Sequence, residues 1–205
     1  MNTFKTPMMR VIVVTACLSS MLTAIAEAGT RYVNSPEDSF VRVEGDSTLH
    51  GWDAESDSFT ISVDPVHPFK GHDLAPGDRW EGSMEFELHA DTLTSGRRGL
   101  DRQMHASLLA DEHPVIDFTL LSAEIQETKD DAMVLMIEGD MTCAGVTRTK
   151  QIDVTISLEE DALIMSGRKE MKMSDFDIDP PRAMLGAIRA ADEIEVSFHF
   201  VLKPE

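Results

Sequence analysis

This sequence predicts an all-β fold of about eight antiparallel strands, closed as a barrel or paired as a sandwich, with one inserted helix. Three observations lead there. Apolar and polar residues alternate with period two in several segments. One stretch alone, between two such segments, switches to helical spacing. Beyond the first 28 residues the only cysteine is Cys143, so no internal disulfide is available and the fold must stand on its core.

The elements follow in chain order. Lys5 and Arg10 form a positive start, an apolar run extends from Val11 to Ile25, and Ala26-Glu27-Ala28 is a small-x-small cleavage site. That pattern is a secretory signal peptide, and the expected mature chain is one domain, residues 29–205, without a transmembrane anchor. Val14-Thr15-Ala16-Cys17 offers an alternative, a lipoprotein box that would lipidate Cys17. Few apolar residues precede that cysteine and the apolar run continues past it, which favours cleavage after Ala28.

A first strand is expected at residues 40–44 and another near Trp52. Residues 58–63 alternate strictly. The Pro- and Gly-rich residues 64–78 read as a long loop. From Trp80 to Ala90, Trp80, Met84, Phe86, Leu88 and Ala90 share one face, and Glu81, Ser83, Glu85, Glu87 and His89 the other. Residues 95–113 place Leu100, Met104 and Leu108 every four residues, with Ser95 as the candidate N-cap and Pro114 as the stop. Such a helix is placed to plug or cap one end of a barrel. Further strands are expected at residues 115–125, 133–141 and 163–173. Ile152, Val154, Ile156 and Leu158 alternate with polar residues, as do Ile194, Val196, Phe198, Phe200 and Leu202. Period two with one polar face means strands wet outside and apolar inside. Residues 174–191 read as a second loop with a helical turn near Met184. No internal repeat or linker is visible.

The charge excludes some partners. The net charge is −19, and loss of the first 28 residues, with Lys5, Arg10 and Glu27, leaves about −20. Such a surface repels nucleic acid phosphates and anionic lipid headgroups, and no basic stripe offsets it. The seven histidines, His50, His67, His72, His89, His105, His113 and His199, show no metal-ligand spacing, so no metal is expected. Asp175, Asp177 and Asp179 mimic the opening of a calcium loop, but Pro180-Pro181 follow and the glycine and distal glutamate are missing; they read as solvated carboxylates. No catalytic residue is expected, because no nucleophile–base constellation is present. Cys143 lies in strand-like sequence and reads as a small buried hydrophobe.

Three blocks, RQMHASLLADEHPVIDFTL (residues 102–120), GDMTCAGVTRTKQIDV (139–154) and SGRKEMKMSDFDID (166–179), together with Leu49-His50-Gly51-Trp52, resemble in order and type the blocks of the YceI-like family. The resemblance spans almost the whole chain beyond residue 28. It implies a lipocalin-like antiparallel β-barrel with an inserted helix. It also implies a periplasmic or secreted carrier, not an enzyme, whose interior holds a long isoprenoid lipid, polyprenyl or quinone-like, and no other cofactor. A homodimer stays open. The alternatives are an envelope stress or interaction module with a filled core and, behind it, a barrel enzyme.

On that reading the pocket lining is expected from Leu49, Trp52, Met84, Phe86, Leu88, Phe118, Phe176, Phe198 and Phe200. Arg98, Arg102 and Arg182 are the head-group candidates, with Arg97 and Arg189 nearby. Gly51 is expected to permit a tight bend, and His50 to bond locally. Met84, Met133, Met165, Met171 and Met173 supply flexible apolar surface that adapts to irregular guests.

Overall fold

A computed structural model describes residues 29–35, 38–67, 74–129 and 132–205. The signal segment with Cys17, and His72, lie outside the described residues. The elements are β1 (Tyr32–Asn34), β2 (Phe40–Ser47), β3 (Trp52–Ser56), β4 (Phe59–Pro65), β5 (Arg79–Trp80), β6 (Gly82–His89), α1 (Arg98–Ser107), β7 (Val115–Lys129), β8 (Ala132–Cys143), β9 (Val146–Glu159), β10 (Ala162–Lys172), β11 (Arg182–Ala183) and β12 (Ile188–Pro204). Single 3-10 turns occur at Ala90–Thr92, Met173–Phe176 and Met184–Gly186.

The strands close into an antiparallel barrel. The hydrogen-bonded order is β1-β4-β6-β7-β8-β9-β10-β12, and β12 pairs back to β1, giving eight staves. The β2–β3 hairpin continues the β1 and β4 staves past an irregularity, with β2 on the same long β12. Closure removes the free edges that an open sheet would expose.

Alternation places the core. The inward residues Val154, Ile156, Leu163, Met165, Phe200 and Leu202 are buried, while their outward neighbours include Asp153, Thr155, Ser157, Ser166 and Lys203 beside the apolar Ile164 and Val201. One end is filled solid: Val63, Ile125, Leu135, Leu163 and Leu202 are among the fully buried side chains, and all lie toward the end where β1 begins and β12 finishes. At the other end are the β2–β3 tip, α1, the β8–β9 turn and residues 178–190. The β8–β9 turn is Ala144–Gly145, both with positive φ (50° and 78°), the mirror-image hairpin turn that matches strand twist.

A recurrent device shapes the wall. A Cβ on Gly167 would lie 2.6 Å from Phe198 Cζ, one on Gly139 would lie 2.2 Å from Phe118 Cζ, and one on Gly45 would lie 2.5 Å from the Trp52 ring. In each case an aromatic ring occupies the space that a side chain on a neighbouring strand's glycine would need, so the wall is sealed without a second side chain.

The structure corrects several expectations. The helix is shorter than residues 95–113. It starts at Arg98, its N-cap is Arg97, and the backbone turns away after Leu108, with Leu109 left-handed (φ 53°), well before Pro114. Ser95 is not the cap; its hydroxyl and its N–H donate to Asp101 at 2.5 and 2.8 Å, which fastens the approach to the helix from outside. The strand expected from Trp80 breaks at Glu81 into β5 and β6. Residues 174–191 are not one loop, because β12 already begins at Ile188, held by Thr48 N–H donating to Arg189 O at 2.9 Å. Asp175 is not merely solvated: it accepts from Lys150 Nζ at 2.5 Å, and Asp177 lies 3.6 Å from Arg148.

Candidate functional site

The barrel is hollow in its upper half. A cavity of about 470 Å³ runs between the α1 end and the aromatic cluster that floors it, within the size range of small-molecule sites. Its wall is built by register. On β12 the inward residues Ile194, Val196, Phe198 and Phe200 face it, and their partners Val41 and Val43 on β2 and Met165 and Met171 on β10 continue it sideways. The opposite wall comes from β6 to β9 through Met84, Phe86, Leu88, Ile116, Ile137 and Ile152.

The floor is a group of rings. Phe86 lies 5.6 Å from Phe59 and 5.7 Å from Phe200, Phe59 lies 5.0 Å from Phe200, and Phe198 stacks on Phe200 at 4.9 Å. Such pairs add to the area they bury and give the cavity a stiff base. Phe176 is also buried against the cavity, from the 3-10 turn after β10, with Lys150 Nζ 5.3 Å from its ring centroid.

The mouth is formed by three pieces. Helix α1 turns Leu100, Gln103, Met104 and Ser107 toward the cavity, the i, i+3, i+4, i+7 face of a helix. Gln103 Nε2 donates to Arg182 O at 2.9 Å and so joins the helix to β11. The β2–β3 tip is shaped by Ser47: its hydroxyl donates to His50 O at 2.7 Å and accepts from the N–H groups of Leu49 and His50. Ser47 therefore does the bending that Gly51 was expected to do, and Gly51 needs no left-handed backbone. The tip is tied across the mouth by Thr48 Oγ1, which donates to Ala187 O at 3.3 Å.

All nine expected lining residues border the cavity. Trp52, Met84, Phe86 and Leu88 do so from β3 and β6; Phe118, Phe176, Phe198 and Phe200 complete the set of wall and floor rings. Leu49 stands at the rim, 66% exposed. His50 is exposed there too, its Nδ1 2.7 Å from Gly51 O. Of the head-group candidates, Arg98 borders the mouth, and so does Arg97. Arg102 and Arg182 do not: Arg102 is exposed off the helix face that turns inward, and Arg182 reaches the helix through its carbonyl while its side chain is exposed. Among the methionines, Met133 packs elsewhere in the core rather than on the cavity.

Met173, like Met165 and Met171, borders the cavity, and Met141 joins the same soft apolar surface without having been expected there. Lys169 is a cation on the inward face of β10, in phase with Met165 and Met171. Its signal was present in the alternation of residues 163–171, where a lysine occupies an apolar position.

Cys143 also lines the cavity, 8% exposed at the end of β8. Burial pushes its thiol up to about 11, so it stays protonated and inert at neutral pH. Asp101 and Asp192 are held below the ordinary carboxylate range, chiefly by hydroxyl donors, Ser95 and Ser174 respectively. Both lie outside the cavity and fasten the segments around its mouth. Among the described residues, no group of three His, Cys, Asp or Glu side chains is placed to hold a metal ion, and no helix is long and apolar enough to cross a membrane.

Comparison with known proteins gives a consistent picture. A family model described as a YceI-like domain matches residues 32–202. BcnA of Burkholderia cenocepacia has a similar structure, with 17% identity, coverage of 82% of this chain and 98% of that one, and a TM-score of 0.63. A structure described as a polyisoprenoid binding domain from Saccharophagus degradans, implicated in plant cell wall breakdown, shares 11% identity, covers 86% and 99% of the two chains, and gives a TM-score of 0.64. A YceI protein of Campylobacter jejuni shares 15% identity over 72% of this chain and 81% of that one, with a TM-score of 0.51. At these identities the likeness is one of fold. Among curated proteins no sequence matches.

Proposed function

The chain belongs to the YceI-like domain family, and from that premise we propose that it is a carrier, not an enzyme, that holds a long isoprenoid-type lipid in the barrel. The observation that carries this is the cavity: about 470 Å³, walled almost entirely by apolar side chains, closed below by packed core and reached from the α1 end. Each buried CH₂ of a guest contributes about 0.8 kcal/mol before ordering costs, so a few isoprene units support tight binding with no hydrogen bond to the tail. Met84, Met104, Met141, Met165, Met171 and Met173 give the wall a pliable surface suited to a branched, irregular chain. A filled-core interaction module does not account for this space, because a protein with no guest gains stability by packing it. The polyisoprenoid description of the Saccharophagus domain supports the same reading.

The carrier is placed in the periplasm or outside the cell, by cleavage after Ala28. Intact mass of the exported protein tests this: a chain starting at Gly29 agrees, and a diacylated chain starting at Cys17 overturns it. The binding itself is tested on delipidated protein titrated with a polyprenol and with a ubiquinone-like ligand. Saturable one-to-one uptake is expected. No uptake of either by the folded protein overturns the reading.

A further inference from the structure

The cavity wall carries charge of the opposite sign to the chain. The protein has 37 acidic residues against 18 basic ones, yet the cavity is bordered by Arg97, Arg98 and Lys169 and by no aspartate or glutamate. The two arginines are exposed at the rim.

Lys169 stands deeper. Its partner on β12 is Val196, which pairs in turn with Val43 on β2, so the lysine completes a row of the inner wall otherwise made of valines. The row above is Met171, Ile194 and Gly45, and the row below is Gly167, Phe198 and Val41. The side chain is half-buried, and among the described residues no hydrogen bond or ion pair engages its ammonium. The other cations at this end of β10 are treated differently. Arg168 is exposed on the outer face, and so is Lys172, which lies 3.4 Å from Glu193.

An anion that enters the cavity meets this lysine with no acidic residue on the wall to compete for it. A wall meant only for hydrocarbon has no use for it.

We propose that Lys169 is the recognition group for an anionic head, phosphate or carboxylate, on the amphiphile that occupies the cavity, with Arg97 and Arg98 drawing the anion through the mouth. This rests on the lipid-binding reading and narrows it, since an uncharged polyprenol or quinone makes no use of the lysine. The head lies beside Lys169, between the row of Met171 and Ile194 and the row of Phe198. The tail lies along the apolar wall between the aromatic floor and the α1 end.

The test is a set of paired titrations of delipidated protein: geranylgeranyl phosphate against geranylgeraniol, and palmitate against hexadecanol. A charge-assisted contact in a partly dry site predicts that at least one anion binds about ten- to a hundredfold tighter than its alcohol. The pair with the larger ratio tells phosphate from carboxylate. Lys169→Met, close in volume and suited to an apolar row, should bring the ratio near one with alcohol binding kept, and Lys169→Arg should keep most of the preference. Should Lys169→Met fail the circular dichroism check for folding, Lys169→Gln is read in the same way. Equal affinity for anion and alcohol in the wild type, or a preference that survives loss of the lysine, overturns the inference and leaves the lipid reading standing. Uptake of none of the four probes overturns both.

Discussion

Phe86→Asp is the substitution that separates the inside of the barrel from the outside. Phe86 is half-buried on β6, borders the cavity and touches two rings of the floor, Phe59 at 5.6 Å and Phe200 at 5.7 Å. Removing a fully buried phenylalanine ring costs about 3–5 kcal/mol, and this half-buried one belongs at the lower end. The new carboxylate adds several kcal/mol if it ionises there, or protonates instead. Its folded-state pKa is then raised above the unfolded value. For a carboxyl the sign is that stability falls as pH rises from the unfolded value, about 3.9, to the raised folded one, and is flat above it. Urea unfolding should therefore show a total loss of about 5–7 kcal/mol at pH 8 and a smaller loss at pH 5. Lipid uptake should fall with it. Glu85→Gln and Glu87→Gln, exposed on the opposite face of the same strand, should change neither. If Phe86→Asp keeps both stability and uptake while Glu85→Gln loses them, the strand is inside out and the reasoning fails.

Cys143, its thiol raised to about 11, should be about one part in a thousand thiolate at pH 8. Native alkylation should run far slower than in urea, equal rates would contradict this, and Cys143→Ala should leave uptake intact. Gly167→Ala puts a methyl 2.6 Å from Phe198 Cζ and 2.7 Å from the Asp153 carbonyl oxygen. Overpacking there should cost about 1–3 kcal/mol by denaturant unfolding, and a neutral result would mean the ring does not cover the glycine. Asp101, with its pKa lowered by Ser95, contributes stability that is complete above its unfolded value and lost as pH falls through the folded one. The site is half-exposed and screened by solvent, so the contribution is below about 1 kcal/mol. Asp101→Asn should speed hydrogen exchange of the Ser95 amide without moving the global midpoint, and unchanged exchange would refute the link.

Much of the barrel could be read from the chain because β9, and β12 beyond its irregularity between Ala190 and Ile194, keep one phase. Ile152, Val154 and Ile156, and then Ile194 to Leu202, never leave the inner face. Phase slips hid the rest. Ala54 and Ser56 point inward at even positions, then Phe59, Ile61 and Val63 at odd ones, so β3 and β4 look unrelated although they continue one stave. In β7 the register shifts between Leu120 and Ser122, which moves the inner set from Ile116 and Phe118 to Ala123 and Ile125 and leaves Leu121 exposed. A bulge is set by the partner strand and leaves little trace in local alternation.

The strand residues among the candidates, such as Met84, Phe86, Leu88, Phe118, Phe198 and Phe200, followed from the same alternation, whereas Leu49, Trp52 and Phe176 border the cavity from the β2–β3 tip and the 3-10 turn after β10. The polar mouth did not, because it is assembled from segments far apart in sequence. The proximity of Thr48 to Ala187 and of Gln103 to Arg182 exists only once the barrel closes. Arg102 and Arg182 carry charge and lie near those segments in sequence, and neither property reports which way a side chain points.

The most direct measurement is mass spectrometry of an organic extract of the full-length protein purified from cells that export it, quantified against protein. The account predicts one isoprenoid lipid per chain, displaced when Phe86 is replaced by aspartate. An extract without isoprenoid, from a folded protein that also takes none up after delipidation, would contradict it.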